Sequence, residues 1–257
     1  GAPRVRRRLL QKKGVHRVVL RLLRSIPADY HELTAPLCYS ALAALCEGAP
    51  EVQNFLSAHA TDVLLGHLDS SLARHVVALL AAMHQNNVDL CCRVGDALVA
   101  RVVALLRGDM HACYLAFLRV VICPGDIVVR RNQNLVAKHL DKDDIELPLC
   151  GGSAGRARRQ MTDFGTAQGK EFLGCYVGAV ELLSACMADG NHENKARCRG
   201  GCPRMTLTLA DIAKGLYDRQ VPSRVKMALL RFLDEAHVRV SYAEQRHVLQ
   251  PEMTEVL

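Results

Sequence analysis

One phrase recurs along this chain and limits what it can fold into. It is an apolar run of helical length, a polar or glycine-bearing turn, and a short run opening on Glu, Asp or Val. It reads LAALCEGAPEVQNFL around Gly48, LLAAMHQNNVDLCCRV around Asn86 and FLRVVICPGDIVVRR around Gly125, and returns as ELLSACMADGNHENKARC and FLDEAHVRVSYAEQ. The first three turns lie about 38 residues apart, a spacing found in helix-pair repeats. One helix pair cannot bury its apolar face alone, so neighbouring pairs must stack, and stacking at a fixed period produces a solenoid.

Composition agrees. Half of the 257 residues are apolar, but the apolar set is Leu, Val and Ala with no Trp, 5 Phe and 6 Tyr. That mixture suits helices packed on helices better than sheets, which lean on β-branched and aromatic residues. The expected fold is all-α, an armadillo/HEAT-like α-solenoid of stacked helix pairs. Its first helix is expected over residues 5–25, ended by Pro27. A second is expected over 34–46, with Thr34 as N-cap and Gly48 as a left-handed C-terminal cap. Residues 51–59 and 62–68 are expected to form a short helix or a broken pair, and further helices are expected from a Ser70 or Ser71 cap to 83 and over 88–95, 96–106, 110–122 and 126–140. Residues 141–169 break the pattern with an acidic head, a Gly/Ser middle and a basic patch at Arg156, Arg158 and Arg159. Such a composition buries too little apolar surface to offset ordering entropy and reads as a flexible linker or insertion. Helices resume over 170–187, 191–199, 209–217, 222–237 and 241–249, with Leu230 expected in the core. The chain thus divides into a solenoid over 1–140, a linker over 141–169 and a continuation of the solenoid over 170–257.

The net charge of +7 is unevenly placed: Arg4, Arg6, Arg7, Arg8, Lys12, Lys13, Arg17, Arg21 and Arg24 crowd the first 24 residues. Val15, Val18, Val19, Leu22 and Leu23 fall between them at helical spacing, which makes the basic residues the polar face of a core-packed helix. No aromatic residue is interleaved for base stacking, so no nucleic-acid partner is expected. The chain opens Gly-Ala-Pro without Met and reads as an excised piece, so the arginine-rich start is not taken for a targeting signal. Most of the eleven cysteines (Cys38, Cys46, Cys91, Cys92, Cys113, Cys175 and Cys186 among them) sit inside apolar helical text. They read as reduced thiols acting as small hydrophobes in a reducing, cytosolic setting. The longest stretch without formal charge, residues 33–46, contains Pro36 and is too short to span a bilayer.

Motifs that carry chemistry are few. Cys186, His192, Cys198 and Cys202 have zinc-ligand types, but only Cys198 and Cys202 form a tight pair. Gly151, Gly152 and Gly155 lack the preceding strand and the Lys-Ser/Thr of a phosphate loop. Asp141, Asp143, Asp144 and Glu146 lack the glycine and terminal glutamate of a calcium loop. His16, His59, His67, His75, His84, His111, His139, His237 and His247 are scattered singly, and none stands at nucleophile-base spacing from a Ser, a Cys or paired carboxylates. No catalytic, cofactor or metal-binding residue is assigned, and an enzyme is not expected.

Whole phrases carry more. LLQKKGVHRVVLRLLRSIP, ALCEGAPEVQNFLSAH and YLAFLRVVICPGDIVVRRNQNLVAKHL resemble, in order, phrases of the cytosolic helical region of inositol trisphosphate receptors shared with ryanodine receptors. After the linker, YVGAVELLSACMADGNHENKARCRGGCP and LTLADIAKGLYDRQVPSRVKMALLRFLDEAHVRV resemble the stretch that follows. The arginine-rich start and the Gly-Gly-Cys-Pro turn depart from the family pattern. The resemblance implies a regulatory and structural segment of a tetrameric, inositol trisphosphate-gated calcium-release channel. This segment would lie on the cytosolic face of the endoplasmic reticulum or a related calcium store, without inserting into the membrane. Its implied partners are other domains and subunits of the same channel, and regulatory proteins. The family's ligand pocket and pore lie in other regions, so no ligand-binding residue carries over. A free-standing armadillo-like adaptor that binds proteins is the alternative reading.

Overall fold

The computed structural model describes residues 2–27, 30–142, 166–201 and 207–239. Among them every regular element is helical, and they divide into two compact units, 1–139 and 140–257.

The first unit opens with α1 (Ala2–Lys12) and α2 (Val15–Ser25). The expected single helix over 5–25 is two, because Gly14 takes a left-handed φ of 69° that only glycine adopts without strain. Then come α3 (His31–Cys46), α4 (Pro50–His59), α5 (Thr61–His67), α6 (Ala73–His84), α7 (Val88–Cys92), α8 (Asp96–Gly108), α9 (Ala112–Ile122) and α10 (Arg130–Lys142). Helix α3 starts before Thr34, capped by no side chain, and takes Pro36 inside it. Helices α2, α3, α6 and α9 form a row, each packed on the next, while α4 lies against α6 and α8 against α9. Tyr39, Leu42, Leu56, Val76, Leu115 and Phe117 are buried along this row. They lie on α3, α4, α6 and α9, so the stack buries a shared core, with Tyr39 and Phe117 among its largest buried side chains.

Two sequence expectations fail here. The stripe Val15, Val18, Val19, Leu22, Leu23 is not the core face of α2: His16, Leu20 and Leu23 are buried, whereas Val18 is 55 % and Leu22 49 % exposed. Apolar residues surround most of this helix, so periodicity alone could not decide which face turns inward. Cys92, expected inside, is exposed.

The second unit holds α11 (Ala167–Met187), α12 (His192–Ala196), a π-helical turn (Arg197–Gly201), α13 (Leu209–Tyr217), α14 (Ser223–Leu233) and a π-helical turn (Asp234–Val238). Thr166 and Thr208 cap α11 and α13, their Oγ1 atoms accepting from the backbone N–H of Gly169 at 3.0 Å and of Asp211 at 3.1 Å. Helix α14 packs against both α11 and α13. Its inward residues are Val225, Ala228, Leu229 and Phe232. Leu230, expected in the core, is 46 % exposed. One residue turns a helix face by about 100°, and the buried leucine is its neighbour Leu229. A Cβ on Gly215 would lie 2.6 Å from Leu229 Cδ1, so α13 approaches α14 through a glycine. Most of the expected linker, the glycine cluster, Asp143, Asp144, Glu146, Cys202 and the helix over 241–249 lie outside the described residues.

Candidate functional site

The three turns that set the period share one backbone feature. Gly48, Asn86 and Gly125 have φ of 66°, 56° and 66°. Each lets the chain leave one helix and start the next within a few residues. The second and third turns also touch, since a Cβ on Gly125 would lie 3.2 Å from Asn86 Oδ1.

Polar side chains then tie each helix pair to its neighbour. Gln53 on α4 donates through Nε2 to the carbonyls of Ala82 and Gln85, at 3.1 and 3.0 Å, where α6 ends. Its Oε1 accepts from Asn87 Nδ2 at 2.9 Å, while Asn87 Oδ1 caps α7 by accepting from Leu90 N. Asn132 on α10 donates to the carbonyls of Cys91 and Val121, both at 2.8 Å. Gln11 donates to Leu45 O at 2.8 Å, and Arg24 to His59 O. Arg101 Nη2 reaches both Leu65 O and Asp69 Oδ2 at 2.8 Å, and Arg131 Nη1 reaches Val94 O at 3.0 Å. Arg74 holds Asp109 with two bonds of 2.7 and 2.8 Å, and His139 Nε2 lies 3.1 Å from Asp96 Oδ1. Apart from Asn132 to Val121, 11 residues apart on neighbouring helices, the cross-links run from 29 residues apart, Gln53 to Ala82, to 43, His139 to Asp96. Those longer separations bracket the repeat period, so these bonds join adjacent repeats.

The acceptors explain the donors. The last four carbonyls of a helix have no intrahelical partner, and leaving one buried and unpaired costs about 1–3 kcal/mol. Several of these amides and guanidiniums aim at helix ends of this kind. Gln53 and Asn132 are buried, 2 % and 0 % exposed, so their bonds are shielded from water. Together the turns and cross-links form a continuous polar seam that registers one helix pair against the next.

A family model for the RIH domain, the region of homology between ryanodine and inositol trisphosphate receptors, matches residues 2–145. The chain belongs to this family. It is a segment of a channel of the inositol trisphosphate/ryanodine receptor type, and the seam described above lies inside its RIH domain.

Titratable groups of the RIH domain are arranged for packing. His111 Nδ1 and Cys113 Sγ lie 2.9 Å apart, a pairing that resembles a nucleophile and its base. Burial pushes the Cys113 thiol up to about 12, so it stays protonated. His111 Nδ1 also accepts from Cys113 N, as the N-cap of α9. The pair is a helix cap. Arg74 holds the Asp109 carboxyl below its usual range, chiefly through their hydrogen bond, while burial raises the neighbouring Tyr114 to about 12. Tyr39 Oη lies 2.5 Å from His67 Nδ1; burial lowers His67 and raises Tyr39. Burial likewise lowers His84, whose Nδ1 donates to Leu80 O at 2.8 Å.

Of the residues weighed for zinc, Cys202 lies outside the described residues, and Cys186 and Cys198 lie near each other. Cys186 and Cys198 are buried and His192 is exposed, and among the described residues no three His, Cys, Asp or Glu side chains gather to hold a metal. Burial and then the nearby Cys198 push the Cys186 thiol well above its ordinary value. Among the described residues no helix is long and apolar enough to cross a membrane. The residues that sequence reasoning missed are the amides of the seam, Gln11, Gln53, Asn87 and Asn132. The signal for them was a Gln or Asn at an inward helix position close to a predicted turn.

Proposed function

We propose that this chain is a cytosolic regulatory and structural segment of an inositol trisphosphate-gated calcium-release channel. On this reading it is not an enzyme. It carries ligand-induced movement towards the pore at the cytosolic face of the endoplasmic reticulum or a related store. Its partners are other domains and subunits of the same tetramer and regulatory proteins.

The observation that carries the reading is the seam. A solenoid whose repeats met only through apolar contacts could slide at each interface, because such contacts are non-directional. Directional bonds from Gln53, Asn87, Asn132 and Arg101 to fixed carbonyl or side-chain acceptors penalise such sliding. A displacement at one end is then passed from repeat to repeat instead of being absorbed at the first interface.

The test is Gln53→Leu in the full-length parent channel. It removes both carbonyl bonds and the contact with Asn87, at a site that remains packed. The expected result is unchanged ligand affinity with a several-fold weaker calcium-release response. A folded channel with normal ligand binding and a normal release response would defeat the transmission reading.

A further inference from the structure

The first helix pair presents an outward face that the rest of the solenoid does not use. Helix α1 is held through Arg7, which ion-pairs with Glu47, and through Gln11, which bonds Leu45 O. Helix α2 is held through His16, Leu20 and Leu23. Val5 and Leu9 stand two residues either side of Arg7, and Val18 and Leu22 two either side of Leu20. In an α-helix that offset points roughly opposite. Val5 is 69 % and Leu9 55 % exposed, like Val18 and Leu22. Both helices therefore carry an i, i+4 aliphatic pair turned away from the core.

The charge around these pairs is of one sign. Residues 1–25 contain nine Arg and Lys and no Asp or Glu. Arg7 and Arg24 are engaged with Glu47 and His59 O, and Arg17 lies over the Phe55 ring at 5.2 Å. Arg4, Arg8, Lys12, Lys13 and Arg21 are exposed alongside the aliphatic pairs.

We propose that this face docks an acidic amphipathic helix, one presenting aliphatic side chains at i, i+4 spacing flanked by Asp or Glu. Three observations select that occupant. The unmatched positive charge demands a negative partner, which excludes a second copy of the same face by like-charge repulsion. The stripe is aliphatic and narrow, and residues 1–25 contain no Trp, Tyr or Phe. An interfacial lipid-binding helix carries a broad apolar face, and single-stranded nucleic acid calls for stacking rings. Among the described residues, α2 packs against α1 and α3 and leaves Val18 and Leu22 exposed. A further helix laid on its open side would meet Val18 and Leu22 as α3 meets Leu20 and Leu23. The inference goes beyond the transmission reading and stands or falls separately from it.

The experiment is a fluorescence-anisotropy titration of the whole chain. The probe is a labelled helical peptide with Leu at i, i+4 positions flanked by Glu, compared with a scramble of the same composition. Phosphatidylserine/phosphatidylcholine vesicles are the second probe. The ordered peptide is expected to bind and the scramble not, with affinity falling as salt screens the charges. Val18→Glu together with Leu22→Glu replaces exposed residues, so circular dichroism and the melting curve stay unchanged. The pair weakens binding about tenfold or more, the scale of losing central anchors. Equal binding of peptide and scramble, or no binding by the folded chain, would overturn the proposal. Vesicle binding that depends on Val18 and Leu22 without peptide binding would replace it with a membrane surface.

Discussion

His16 packs edge-on to Phe55, with ring centroids 5.0 Å apart, and its Nδ1 is buried without a hydrogen-bond partner. Burial and then the charge of Arg17 lower its pKa from 6.5. A histidine whose folded value is depressed is neutral in both states above about pH 6.5. As pH falls below that, the unfolded chain takes up the proton first, so folding stability is present above the unfolded value and is lost towards the folded one. His67 and His84 shift the same way, and the sum should appear as a stability that declines with acidification below about pH 6.5. Replacing His16 by Phe keeps a ring against Phe55 and removes both the orphaned nitrogen and one titrating group. The expected result is equal or greater stability at pH 7 and a shallower decline between pH 6.5 and 5, read from urea midpoints across pH. An unchanged slope would show that His16 does not contribute. Sequence alone placed this histidine among scattered polar residues, because a ring that fits an aromatic slot carries no spacing signature.

At the scale of the elements, the repeat turns were legible because their chemistry is local. A Gly or Asn after an apolar run signals a left-handed cap whatever surrounds it, and Gly48, Asn86 and Gly125 all adopt positive φ. The break at Gly14 is hard to read because apolar residues at helical spacing flank it on both sides, and one glycine inside such a pattern does not by itself end a helix. Helix phase was less legible than helix existence. On α2 and α14 apolar residues cover more than one face, so tertiary packing chose Leu20 over Val18 and Leu229 over Leu230. The buried amides were hidden for a related reason, since a polar residue at an inward position reads as a misplaced surface residue until its carbonyl acceptor is known. The contact between turns gives a measurable difference. Gly48→Ala meets nothing within 4 Å, so its cost is that of a left-handed alanine, about 1–2 kcal/mol. Gly125→Ala carries the same backbone cost, and its Cβ also crowds Asn86 Oδ1. Gly125→Ala should be the more destabilising, and replacing Asn86 with Gly in the same chain should remove the excess. Equal costs for the two alanines would mean that the turns do not support one another.

For the whole first unit, the pattern of bonds makes a specific claim about cooperativity. Cross-links that reach no further than the adjacent repeat, with Asn132 to Val121 shorter still, give a nearest-neighbour array, in which damage at one interface spreads weakly to distant ones. A globular core would respond as a body. Asn132→Leu is the sharpest probe, because Asn132 is fully buried and one amide nitrogen serves two carbonyls, on α7 and α9. Leucine fills the space but leaves those carbonyls without that donor, a loss of about 2 kcal/mol. Native-state hydrogen exchange should then show faster opening of α7, α9 and α10, with α2 and the first turns of α3 unchanged. In the unsubstituted chain α6 and α9, packed on both sides, should exchange most slowly, and α1 most quickly. If Asn132→Leu accelerated every protected amide of the unit by the same factor, the unit would be opening as one body. The seam would then be a set of local caps, and the repeat-to-repeat route for movement would lose its physical basis.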